Sequence, residues 1–145
     1  MELDRQRRNL GETLPLSREI KRMKTALSRY WLVLSFLLFM FWVIVAADTG
    51  TIPPFVRDIY RFPGGDWVGH FALYGILAWL SARTFPRQVN VFGWKFPLTA
   101  LLVILMAALE ELSQFWFPLR TPDIYDLSFG VLGTLTGTWL ASLRH

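Results

Sequence analysis

The sequence predicts an all-α membrane protein, a four-transmembrane-helix bundle with both termini cytoplasmic, and three observations carry that prediction. First, 53% of the 145 residues are apolar, 16% are aromatic and the mean hydropathy is +0.35, too greasy for an ordinary soluble domain of this length. Second, four hydrophobic stretches, 30–47, 67–85, 96–117 and 124–143, are each long enough to span a hydrocarbon core of about 30 Å at roughly 1.5 Å per helical residue. Third, Lys and Arg are distributed unevenly among the connections, as the positive-inside rule requires of a multi-pass chain. The domain division that follows is a basic cytoplasmic arm, 1–29, and a transmembrane domain, 30–143.

The first stretch carries no charge. Its rival reading is a cleavable signal peptide ending near Val45-Ala46-Ala47, but signal cores run about 7–15 residues behind a short basic segment. This one is longer and follows a polar arm, so an uncleaved anchor is expected. The other three stretches contain His70, Glu110, Glu111, Asp126 and several glycines. Such segments are stable in lipid only when packed together with their polar groups turned inward or lifted to the interface.

Orientation follows from the charges. Arg5, Arg7, Arg8, Arg18, Lys21, Arg22, Lys24 and Arg29 precede the first stretch, and Arg83, Arg87 and Lys95 follow the second without an acid. Both segments are placed in the cytoplasm. The connection with Arg57 and Arg61 against Asp48, Asp58 and Asp66, and the one with Arg120 against Asp123, then face outward. The basic arm reads as a juxtamembrane segment near anionic lipid, where each charge is worth about 1 kcal/mol. Nucleic acid is not expected as a partner, because acids are interspersed through the arm. The absence of cysteine excludes disulfides, thiol catalysis and cysteine-ligated metals.

On this topology Asp66, His70, Tyr74, Glu111, Gln114, Arg120, Asp123 and Asp126 all fall in the outer third of the membrane. Ionisable groups at that depth cost about 2.5–3.5 kcal/mol each on insertion scales, so they persist for a function or for mutual pairing. Asp66, His70 and Tyr74 share one helix face at spacings of four, Glu111 and Gln114 share another at three, and Asp123 and Asp126 a third. Asp66, behind Gly64-Gly65, suits a helix N-terminus, and Asp123 with Asp126, behind Thr121-Pro122, resembles a cap with an acid in the first turn. Glu110 and Glu111 are about 100° apart on a helix. The shared face with Gln114 favours Glu111 as the inward acid and leaves Glu110 nearer the boundary or a neighbouring helix. Arg120 is the expected counter-charge. Gly133 and Gly137, four apart, permit close helix contact, read as packing within the chain, with an oligomer left open.

These residues resemble the VanZ-like family of small bacterial membrane proteins, named for a teicoplanin (glycopeptide) resistance factor. The likeness is an ordered set over roughly 30–143: Asp66, His70-Phe71 and Tyr74; Glu111-x-x-Gln114; Arg120, Asp126, Gly133 and Gly137. Two positions depart from the family pattern: Trp67 stands where a lysine is usual, and Gly130 where an asparagine is frequent. The resemblance implies a multi-pass protein of the bacterial cytoplasmic (inner) membrane and cell envelope, linked to glycopeptide susceptibility without a settled biochemical mechanism.

Three readings of the polar residues stand beside one another. In the first, His70, Tyr74, Glu111, Gln114, Arg120, Asp123 and Asp126 form an outward-facing pocket for a lipid-linked envelope precursor, another anionic ligand or a glycopeptide, with membrane lipids as surroundings. In the second the pocket is catalytic, a hydrolase or transferase with His70 as general base oriented by Asp66 or Glu111 and with Arg120 stabilising negative charge. One histidine with scattered acids is thin for a metal site and no metal is assigned, although His70, Glu111 and Asp126 could hold a divalent ion. In the third the cluster is a structural network only.

Overall fold

The computed structural model describes residues 2–59 and 62–143; Arg61, one of the charges used for orientation, lies outside the described residues. The chain is built from four long helices. Helix α1 runs over Glu2–Asp48, α3 over Gly65–Thr84, α4 over Leu98–Ser113 and α5 over Ile124–Ser142, with a short α2, Pro54–Ile59, between the first two. These helices coincide with the four hydrophobic stretches. No helix break separates the basic arm from the first stretch, because α1 is continuous through residue 29.

The ends of the elements differ from the sequence expectation in three places. Hydropathy starts the third stretch at 96, but residues 88–97 form a hairpin, β1 Gln88–Val91 paired antiparallel with β2 Trp94–Pro97. Its turn is Phe92-Gly93, both at positive φ, 49° and 85°, which glycine adopts at little cost and a hairpin turn requires. After Pro97 the chain enters α4, which ends in a 3₁₀ turn, Gln114–Trp116, before Pro118. At α3 the N-cap is Gly64 in the left-handed conformation with no side-chain cap, so Asp66 sits in the first turn, where its charge meets the helix dipole without capping it. Asp123 does cap α5: its Oδ1 accepts the Tyr125 N–H at 2.8 Å, and Asp126 is the acid of the first turn.

Helix α3 is the centre of the packing, with its widest interface against α5 and further contacts with α1 and α4; α4 also packs on α5. The α3–α5 crossing is close because glycines line it. A Cβ placed on Gly133 would stand 2.2 Å from the Phe71 carbonyl oxygen, and one on Gly137 would stand 2.0 Å from that of Gly75. The glycine pair therefore serves contact within the chain, as read from its spacing, and Gly75 is its partner on α3. Trp67 stacks on Phe129 of α5 at 5.6 Å between ring centroids and meets Tyr125 at 5.2 Å, so this departure from the family pattern is a packing residue. The apolar core is Met40 from α1, Tyr74, Leu77 and Ala78 from α3, and Val103 and Ala107 from α4.

Two helical segments are long and apolar enough to cross a membrane, Ser17–Asp48 and Leu98–Trp116, and only 17% and 39% of their most apolar windows are buried. A core helix of a soluble domain buries most of its apolar surface; these turn theirs outward. On α4 the outward face is Leu102, Leu105, Leu109 and Leu112. Helices α3 and α5 are of similar length, roughly 30 Å, but polar residues and glycine lower their hydropathy.

Candidate functional site

The site lies where α3 begins, α4 ends and α5 begins, so three connections that are distant in sequence converge. Glu110 is its hub. The carboxylate is buried and takes three contacts: His70 Nε2 at 3.3 Å from Oε2, Gln114 Nε2 donating to Oε1 at 3.0 Å, and Arg120 Nη2 donating to Oε1 at 3.3 Å. This corrects the expectation that Glu111 alone turns inward. Both acids are buried, at 8% and 7% exposure, because α4 lies against both α3 and α5 and two positions 100° apart each meet a neighbour.

Glu111 faces α5 instead. Its carboxylate accepts the backbone N–H of Asp123 and, at 3.2 Å, the Gln114 amide. It thus ties the start of α5 to the end of α4. Gln114, 1% exposed, donates from one amide nitrogen to both glutamates and bridges their carboxylates.

His70 points into this network from α3. Its Nδ1 is 3.0 Å from the Asp66 carbonyl oxygen and 3.6 Å from Asp126 Oδ1, while Nε2 faces Glu110. The carboxylate that orients His70 is therefore Glu110, not that of Asp66 or Glu111. Asp66 acts through its backbone carbonyl, and the residue is exposed at the helix start. Tyr74, one turn further along α3, stacks on the His70 ring at 6.0 Å and is 2% exposed. Gly130 leaves room for it, since a Cβ there would lie 3.2 Å from the tyrosine ring; an asparagine at this position would displace Tyr74.

Of the residues proposed from sequence, His70, Tyr74, Glu111, Gln114, Arg120, Asp123 and Asp126 are brought together. Two contributors were not among them. Glu110 had a legible signal: Ala100, Val103, Ala107, Glu110 and Gln114 make one buried stripe, opposite the leucine face of α4. Arg57 had none, because α2 is a short helix in a connection and its approach to the site depends on the tertiary fold.

A cavity of about 380 Å³ opens beside the network. One wall is apolar and comes from α1 and the segment after it, including Phe39, Trp42, Val43 and Ile52. The lining also includes Arg57, Asp66, His70, Tyr74, Glu110 and Arg120. His70, Glu111 and Asp126 also bring one ligating atom each within 4.8 Å of one another.

Comparison with known families settles the affiliation that the motif set suggested. A family model described as VanZ/LLP1 matches residues 14–145, nearly the whole chain. The chain belongs to the VanZ/LLP1 family. No curated protein and no solved structure gives a match. Membership in the VanZ/LLP1 family and the two outward-facing apolar helices together make this a membrane protein.

Proposed function

We propose that this VanZ/LLP1 member is a multi-pass protein of the bacterial cytoplasmic membrane. In this reading α1, α3, α4 and α5 all span the bilayer, the termini are cytoplasmic and the polar network opens outward. Its pocket holds the head group of an amphipathic envelope ligand, lipid-linked and anionic, and the link to glycopeptide susceptibility would arise from what such a ligand presents at the membrane surface. The carrying observation is the mixed lining of the cavity: apolar side chains of α1 together with Arg57, His70 and Arg120. A network that only fixed the fold would have no need to border an open amphipathic space. Ligand sites of this kind combine a largely apolar lining with a few convergent polar groups.

Arg57 is the cleaner handle on the head group, because Arg120 already pairs with Glu110. With a fluorescent polyprenyl diphosphate in detergent, Arg57→Ala is expected to weaken binding about tenfold, the loss of roughly one charge-assisted contact. Binding that survives Arg57→Ala, His70→Ala and Arg120→Ala unchanged rejects the pocket; turnover of the probe would instead favour the catalytic reading, with Glu110 orienting His70.

The chain has no cysteine, so single cysteines report topology directly. Thr121→Cys is expected to react with an impermeant maleimide on intact cells, and Lys95→Cys only after permeabilisation. The reverse pattern would turn the pocket to the cytoplasm and overturn the outward reading.

A further inference from the structure

The buried charge around His70 does not balance. Glu110, Glu111 and Asp126 are all buried, and among the described residues Arg120 is the one Lys or Arg paired with them, through Glu110. Glu111 receives an amide and a backbone N–H, neither of which carries charge. Asp126 Oδ1 is buried without a hydrogen bond, 3.6 Å from His70 Nδ1. Buried carboxylates at membrane depth are paired, protonated or bound to metal.

A second observation shows that the cluster also lacks a donor. Gln114 is 1% exposed, and its amide nitrogen is spent on both glutamates, yet its Oε1 is buried with no donor. Orphaned polar atoms of this kind in a folded protein call for an explanation, an ion or its water being the usual one. Ion-bound water is a strong hydrogen-bond donor and would satisfy the Gln114 oxygen.

We propose that His70, Glu111 and Asp126 bind a divalent transition-metal ion, Zn²⁺ or Mn²⁺, between the second turn of α3, the first turn of α5 and the last turn of α4. The donor atoms lie within 4.8 Å of one another. Tetrahedral donors about 2.0–2.2 Å from an ion stand roughly 3.4 Å apart, so the widest pair closes by about 1.4 Å through side-chain rotation when the ion binds. One imidazole nitrogen with two carboxylate oxygens suits Zn²⁺ or Mn²⁺ better than the all-oxygen preference of Ca²⁺ and Mg²⁺. Glu110 completes the arrangement as a positioning residue. Ligation through Nδ1 requires the ring to turn off the Asp66 carbonyl oxygen, 3.0 Å away, toward Asp126 Oδ1 at 3.6 Å, while Nε2–H keeps donating to Glu110, the carboxylate–histidine–metal relation that orients ligating histidines. Three ligands from three helices would also clamp the helices together at this end.

The site is separable from the head-group pocket, because Glu111 and Asp126 do not line the cavity. The test uses untagged protein in detergent, with His145 replaced by alanine throughout, stripped with EDTA and equilibrated with Zn²⁺. One ion per chain is expected after gel filtration. Glu111→Gln and Asp126→Asn should each weaken Zn²⁺ binding at least 100-fold, Glu110→Gln by about tenfold, and Arg57→Ala not at all. Should the carboxylate variants not fold, Mn²⁺ in the His145→Ala protein serves: electron spin-echo spectroscopy should show coupling to one imidazole ¹⁴N. No retained ion, an ion without nitrogen coupling, or binding unaltered in Glu111→Gln and Asp126→Asn overturns the proposal. Failure of the protein with an intact pocket to bind the lipid probe, with Zn²⁺ binding intact, would reject the pocket alone.

Discussion

Gly137→Ala is expected to destabilise the protein by about 3 kcal/mol, the upper end of what overpacking costs. The methyl carbon would stand 2.0 Å from the Gly75 carbonyl oxygen, a backbone atom of a helix that cannot step aside as a flexible side chain can. Helices α3 and α5 must separate, and that movement also opens the neighbouring contact of Gly133 with the Phe71 carbonyl. Gly133→Ala should cost a similar amount, and the two should be less than additive, because one separation relieves both overlaps. Gly130→Ala is the control: its Cβ meets the Tyr74 ring at 3.2 Å, and a ring can tilt, so about 1 kcal/mol is expected. Unfolding in detergent, followed by circular dichroism, measures all three. A Gly137→Ala variant as stable as wild type would mean that the helices do not approach this closely.

Glu110→Ala is expected to cost about 3 kcal/mol, the lower end of the range for breaking a buried ion pair. It strips Arg120, His70 and Gln114 of a common acceptor. The lower end applies because the Arg120 side chain is 23% exposed and can turn to water, whereas His70, at 14%, has less recourse. Glu111→Gln and Asp126→Asn should behave differently in the presence of EDTA. Each removes a negative charge that no arginine or lysine offsets; Asp126 Oδ1 gives up no hydrogen bond, and at Glu111 the amide oxygen keeps one of the two the carboxylate accepted. Both should be neutral or stabilising. Residues held against stability's interest are the mark of a functional site. If Glu111→Gln and Asp126→Asn instead lose as much as Glu110→Ala, the three acids form one structural network and the site hypothesis fails.

Much of this was readable along the chain. Hydropathy and length marked four helices, and spacing placed Asp66, His70 and Tyr74 on one face and paired Gly133 with Gly137. The hairpin at 88–97 was not read, because its alternating residues adjoin the apolar run of α4 and its turn signal is only Phe92-Gly93. An acid behind two glycines suits a cap at Asp66, but the left-handed Gly64 starts the helix two residues too early for that.

Periodicity assigns a side chain to a face of its own helix, and so residue order alone was enough to gather the polar groups at one end of the fold. It does not say which neighbour that face meets. The azimuth of α4 is set by the approach of α3 and α5, which depends on backbone contact at Gly75, Gly133 and Gly137 and on the stacking of Trp67 against Phe129. Those contacts join residues far apart in the chain. They turn Glu110 toward His70 and Arg120, leave Glu111 to Asp123, and bring Arg57 to the cavity, assignments made by packing between helices rather than by spacing within one.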